Sequence, residues 1–149
     1  MMTYNIIDSD FKLKNRRRLS SWIKQIIILN NFQLGEINYI FSDDKYILKI
    51  NNKYLNHNFY TDVITFDTSN YDDLLEKQNN DLISGDIFIS VDTVLANSKT
   101  YGSTFEEEMY RVIIHGILHL IGFDDLNDED KEEMRKQENI SLKFLSELK

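Results

Sequence analysis

The chain of 149 residues sets 17 Lys and Arg against 25 Asp and Glu, a net charge of −8, and contains neither cysteine nor proline. Without thiols there are no disulfides, no thiolate catalysis and no sulfur-based zinc site, so a metal must be held by carboxylate, water or the imidazoles of His57, His115 and His119. The acidity excludes a generic basic nucleic-acid coat, yet it is local: residues 1–60 hold nine Lys/Arg and five Asp/Glu, net +4, whereas residues 61–149 hold eight and twenty, net −12.

A chain of this length fits one domain spanning 1–149 and can bury roughly two-thirds of its unfolded surface without covalent help. The amino terminus has no basic region followed by an apolar core, and the longest aliphatic run, Ile26 to Leu29, is far too short to span a bilayer. The expectation is a soluble cytoplasmic protein.

In chain order, Tyr4 to Ile7 reads as a strand. Asp8-Ser9-Asp10 then offers a cap for a helix carrying Leu13, Trp22, Ile23, Ile26, Ile27 and Leu29 at helical spacing, ended by Asn30-Asn31. Glu36 to Phe41 reads as a second strand after Gly35. Ser42-Asp43-Asp44 opens a short helix through Ile47, Leu48, Ile50 and Leu55, with a loop at Asn56 to Asn58. Thr61 to Phe66 and Ser84 to Ser90 are β-branched strands separated by the polar, acidic insert Thr68 to Asp81, a hairpin-like excursion or mobile loop. A helix over Thr93 to Tyr101 ends at Gly102. Ser103-Thr104 with Glu106 and Glu107 opens the longest apolar helix, which runs through Met109, Val112, Ile113, Leu118 and Leu120 to Gly122. A final amphipathic helix starts near Asp128 and carries Met134, Ile140, Leu142, Phe144 and Leu145. Strands and helices mix without strict alternation, which predicts an α+β fold: a small mixed sheet packed with about five helices.

The chemistry concentrates in His115-Gly116-Ile117-Leu118-His119, followed by Gly122, Phe123, Asp124 and Asp125. Four residues make one helical turn, so both imidazoles project from one face and can converge on one ion. Gly122 ends the helix and lets Asp124 or Asp125 return to that face. Two histidines and a carboxylate leave a position for water, as in a catalytic site. Paired histidines can also be core residues satisfied by hydrogen bonds, but a helix apolar almost all round seldom carries two imidazoles on one stripe without something to neutralise them. Zinc peptidases place a glutamate directly after the first histidine as general base; here that position is Gly116, which argues against peptide hydrolysis and leaves room beside a metal for substrate.

The run HGxLHLxG with an aromatic, an aspartate and a third ligand behind it resembles the YbeY family of metal-dependent endoribonucleases, also called rRNA maturation factors. Ile50-Asn51, Tyr54, Thr61 to Phe66, Gly85-Asp86-Ile87, Ile89-Ser90, Met134 and Glu138 stand in the family's order, and the likeness runs from about Ser42 to Glu138. It implies one Zn²⁺ per chain at the end of the long buried helix, held by His115, His119 and Asp125, with Asp124 the alternative third ligand. It also implies single-strand-specific cleavage in rRNA processing, including maturation of the 16S rRNA 3′ end, and ribosome quality control. Ribosomal or ribosome-associated partners follow, and neither DNA nor membrane is expected. The residue pattern alone leaves iron, manganese and nickel open.

Two departures stand out. The family usually has a third histidine at Asp125; a carboxylate adds one negative charge and tempers the ion's Lewis acidity. An arginine normally follows the family's tyrosine, and here it is Leu55, which leaves His57 as a neighbouring cation candidate. Leu55 keeps a second possibility in view, a ribosome-assembly or ribosome-binding factor with weak nuclease activity, and a non-nuclease metal hydrolase is a third. No side chain is assigned as general acid or base. Asp62 is read as a turn cap and Asp86 as a strand-edge residue rather than as orienting groups, and Gly85 as a point of close backbone approach. Lys12, Lys14, Arg16, Arg17, Arg18 and Lys24 form the one dense basic cluster, either a solvated helix face or an RNA backbone contact.

Overall fold

Parallel strands need a crossover between them, and the first 42 residues supply one. In the computed structural model, which describes residues 1–57, 60–69 and 81–148, β1 (Met2–Ile7) and β2 (Gln33–Ser42) pair in parallel through α1 (Arg16–Leu29). α1 starts later than its sequence suggests. Asp8 turns the chain at φ 54° and Ser9 Oγ accepts a hydrogen bond from the Phe11 N–H at 3.1 Å, so the polar triplet closes a turn instead of capping a helix. The chain between stays irregular, which lets Phe11 reach Phe41 and Phe105 at ring separations of 5.3 and 5.9 Å; Asn15, left-handed at φ 59°, begins α1 without a side-chain cap.

Asp43 accepts from the Tyr46 N–H and opens α2 (Asp44–Leu55), as its sequence predicts. β3 (Val63–Asp67) and β4 (Leu82–Ser90) pair antiparallel, and β4 also pairs in parallel with β2, giving the order β1-β2-β4-β3. The Thr68 to Asp81 excursion falls almost wholly on residues 70–80, which lie outside the described residues, as does Asn58 of the loop after α2. Asp86, read as a strand-edge residue, stands on an interior strand, where its Oδ1 accepts from Asn38 Nδ2 at 2.9 Å.

Three helices follow: α3 (Val91–Tyr101), α4 (Phe105–Ile121) and α5 (Asp128–Glu147). α4 opens on a complete capping box between Thr104 and Glu107. The alternation of β2 and β4 sends Ile37, Tyr39, Phe41, Ile87 and Ile89 to one face, where they meet Trp22, Ile23 and Ile27 of α1 and Ile113 and Ile117 of α4. Trp22 is fully buried and donates from Nε1 to the Ser141 carbonyl at 2.8 Å, which ties α5 to α1. The opposite face is covered by α2 through a smaller cluster of Ile47, Ile50 and Ile64.

α4 lies very close to the sheet because two glycines permit it. A Cβ on Gly116 would meet Ile87 Cγ2 at 2.9 Å, and one on Gly85 would meet Leu120 Cδ1 at 2.7 Å. Gly116 therefore faces β4, and the room its missing side chain makes is for the sheet, not for a substrate beside the histidines. Among the described residues no helix is long and apolar enough to cross a membrane.

Candidate metal centre

α4 carries His115 and His119 one turn apart, with rings 6.4 Å apart and only 5° from parallel. Each ring is held at Nδ1 by an acceptor from another part of the chain. Glu138 Oε2, on α5, lies 2.8 Å from His115 Nδ1. For His119 the partner is the Phe123 carbonyl at 3.1 Å. That carbonyl is placed by Gly122, whose φ of 126° ends the helix; the Gly122 and Phe123 N–H groups close back on the Leu118 carbonyl. With Nδ1–H donating in both rings, both Nε2 lone pairs are left to act as ligands.

The same turn delivers Asp125, whose Oδ2 stands 3.5 Å from His115 Nε2, whereas Asp124 is exposed and lines no part of the cleft. Two donors at about 2.1 Å from a tetrahedral ion sit about 3.4 Å apart, so this separation suits joint coordination. Among the described residues no three His, Asp or Glu side chains are already gathered as a complete ligand set. The donors fit an ion in their chemistry: two imidazoles that present Nε2 and one carboxylate beside the first.

These groups sit in a cleft of about 380 Å³ between the start of β3 and the α4–α5 pair. One wall is Thr61 and Asp62, just before β3, with Val63 and Thr65 of β3, and the helical wall adds Glu108, Arg111, Arg135 and Glu138. Burial opposes charge on His115, but the hydrogen bond and charge of Glu138, helped by Asp125 and Asp62, outweigh it and raise its pKa above the usual 6.5. Glu138 answers in the opposite direction: burial pushes it up, while His115 and Arg111 pull it below its usual 4.5. Asp62 and Glu108 are both raised, chiefly by burial, and Asp62's charge adds to the effect on Glu108.

His115, His119 and Asp125, the ligands expected from the sequence, all line this cleft. Asp62, read as a turn cap, lines the cleft within the electrostatic reach of His115, while Asn97 Nδ2 donates to it at 3.3 Å. Leu55 and His57 do not line the cleft, and none of the basic cluster in and just before α1 does; Arg18 instead donates to the Leu145 carbonyl at 2.7 Å. Sequence reasoning missed the roles of Glu138, Arg111 and Glu108. The available signal was a carboxylate on an apolar stripe: Glu138 keeps helical register with Met134, Ser141 and Leu145, all buried, and Glu108 sits beside buried Met109 and one turn before Val112.

A family model described as "Endoribonuclease YbeY" matches residues 4–146. A protein named "Endoribonuclease YbeY" from Azobacteroides pseudotrichonymphae is 48% identical over 93% of this chain and 94% of its own, and one of the same name from Flavobacterium psychrophilum is 42% identical over 97% and 96%. The solution structure of a Thermotoga maritima protein superposes with a TM-score of 0.65 at 23% identity, covering 97% of this chain and 89% of that one, and so shares the fold. With the family model running from β1 into α5 and relatives matching end to end at more than 40% identity, the chain belongs to the YbeY endoribonuclease family.

Proposed function

We propose that the chain is a metal-dependent, single-strand-specific endoribonuclease of rRNA processing, acting at the 16S rRNA 3′ end and in ribosome quality control, with one Zn²⁺ held by His115, His119 and Asp125. The observation that carries this reading is the pair of imidazoles fixed at Nδ1 by Glu138 and the Phe123 carbonyl, with Asp125 3.5 Å from His115 Nε2, on the floor of an open cleft. Both orienting contacts fix the tautomer that presents Nε2, the arrangement that ligating histidines need. Bound there, the ion would supply Lewis acidity toward a phosphoryl oxygen and toward water. Glu138 keeps His115 from turning away, and the Gly122 turn brings in Asp125 while its Phe123 carbonyl aims His119. Asp62 and Glu108, carboxyls whose pKa burial raises, are the cleft groups suited to accept and pass a proton.

The test is elemental analysis of untagged protein together with cleavage of a single-stranded RNA by wild type and His119→Ala. Wild type should carry about one zinc per chain and cut the RNA; His119→Ala should lose both. Equal cleavage by the two proteins would refute a metal-dependent nuclease, and a different stoichiometric metal would correct the zinc assignment alone.

A further inference from the structure

We infer that Arg111 is the cleft side chain that grips a phosphate of the RNA, and that Glu138 fixes it relative to His115. The inference rests on the nuclease reading above, and its test separates the two. Arg111 sits one turn before His115 on α4 and so shares its face. Its Nη1 donates to Glu138 Oε1 and its Nη2 to Asn139 Oδ1, each at 2.9 Å. The other oxygen of the same carboxylate, Oε2, takes His115 Nδ1 at 2.8 Å. One buried side chain thus holds an imidazole and a guanidinium through separate atoms.

Those two bonds use two of the five N–H donors of a guanidinium, and the Arg111 side chain keeps 24% of its surface exposed. It also lines both the histidine cleft and an adjoining cavity of about 390 Å³ bounded by Arg18 and Leu142, so it stands where the two meet. Charge sharpens the assignment. Asp62, Glu108, Asp125 and Glu138 face the cleft, and a phosphodiester entering it needs a cation besides any metal. Apart from the two histidines, Arg111 and Arg135 are the only cationic side chains among the described lining residues. Arg135 is 59% exposed and reaches Glu138 only at 4.0 Å, a loose surface pair, whereas Arg111 is anchored on both nitrogens before any ligand arrives. A planar fork with free donors is suited to phosphate oxygens.

A merely structural Arg111 would neutralise Glu138 and do nothing else. Arg111→Gln distinguishes the roles, because the amide can still donate to Glu138 while the charge is gone. Metal-loaded full-length wild type, Arg111→Gln and Arg111→Lys are compared by binding of a fluorescent 2′-O-methyl oligoribonucleotide, verified to stay intact, across a salt series. Cleavage of the unmodified oligonucleotide is followed in parallel. Arg111→Gln should keep its metal, bind about tenfold more weakly at low salt, flatten the slope of log Kd against log salt by about 0.7, and lose on the order of 100-fold in kcat/KM. Arg111→Lys should restore the salt slope and only part of the rate. An unchanged slope in Arg111→Gln, or a wild type that does not bind the probe, overturns the inference. A wild type that binds but never cuts RNA overturns the nuclease reading instead, and the slope still decides Arg111. If Arg111→Gln loses metal or fold, Arg111→Lys decides: wild-type slope with reduced kcat supports the contact, and unchanged kcat/KM overturns it.

Discussion

The two halves of the candidate metal centre are oriented by different kinds of structure. His115 is held from α5 by a buried carboxylate 23 residues away in sequence, and that carboxylate is itself tied to Arg111 and lies 4.0 Å from Arg135. His119 is held by a main-chain carbonyl four residues on, placed by a glycine turn. The first half depends on tertiary docking and carries charge; the second depends on backbone conformation and carries none. One site therefore has an electrostatic anchor that substitution can remove and a geometric anchor that substitution can only strain.

The largest expected effect comes from removing the electrostatic anchor. Glu138→Gln keeps a side-chain acceptor for the His115 N–H but loses the charge, and zinc affinity should fall about 10- to 100-fold, the usual cost of losing an orienting carboxylate. Glu138→Ala also leaves Arg111 without its main partner, and should cost about 2–3 kcal/mol in the metal-free protein, less than a fully buried pair because Arg111 is partly exposed. Competition with a chelating dye and urea unfolding measure the two quantities separately. Wild-type zinc affinity in Glu138→Gln would show that α5 contributes packing alone and that the contrast between the two anchors is false.

The geometric anchor should fail more gently. A Cβ at Gly122 would meet no atom within 4 Å, so Gly122→Ala acts only through the strain of φ 126°. The cost is about 1–3 kcal/mol of stability, and zinc binding should weaken because the Phe123 carbonyl and Asp125 move together. The signature is coupled loss: unfolding free energy and zinc affinity fall in the same variant, whereas Glu138→Gln should lose affinity well beyond its loss of stability. A Gly122→Ala protein with native zinc affinity would place the determinant of the turn elsewhere.

The contrast also explains what could be read from the sequence. The local half was legible: histidines one turn apart, a helix-ending glycine and an aspartate beyond it are all set within eleven residues, and the starts of α2 and α4 follow from cap side chains that accept from the N–H three positions on. The tertiary half was not. Glu138 and Arg111 meet only because α5 folds back along α4, and no local pattern encodes that docking. Asp62 looked like a turn cap because its partners, His115 and Asn97, come from other elements. Gly116 was misplaced for the same reason: whether a helical glycine makes room for a substrate or for a sheet depends on what lies opposite, and here that is Ile87. The late start of α1 reflects a competition that the pattern does not show, since Ser9 satisfies a turn and Phe11 reaches Phe41 only from irregular chain.

The smallest effect is also the one that reports most directly on the charged half. In metal-free protein, Glu138 has a pKa below its usual 4.5, so its contribution is full above pH 4.5 and is lost as pH falls through the lowered value. His115 has a pKa above its usual 6.5, so its contribution is full below pH 6.5 and is lost as pH rises through the raised value. The pair therefore stabilises the metal-free fold most between pH 4.5 and 6.5, and Tm in chelator should decline above that window by a few degrees at most. In Glu138→Gln the main cause of the upward shift on His115 is gone, burial dominates, and the decline should flatten or reverse. Zinc should reverse it in wild type as well, because a bound ion competes with the proton at Nε2 and binding tightens as pH rises. A metal-free wild type whose Tm climbs steadily from pH 6.5 to 8 would mean that Glu138 does not hold His115 in its charged form, and the two anchors would then be electrostatically alike.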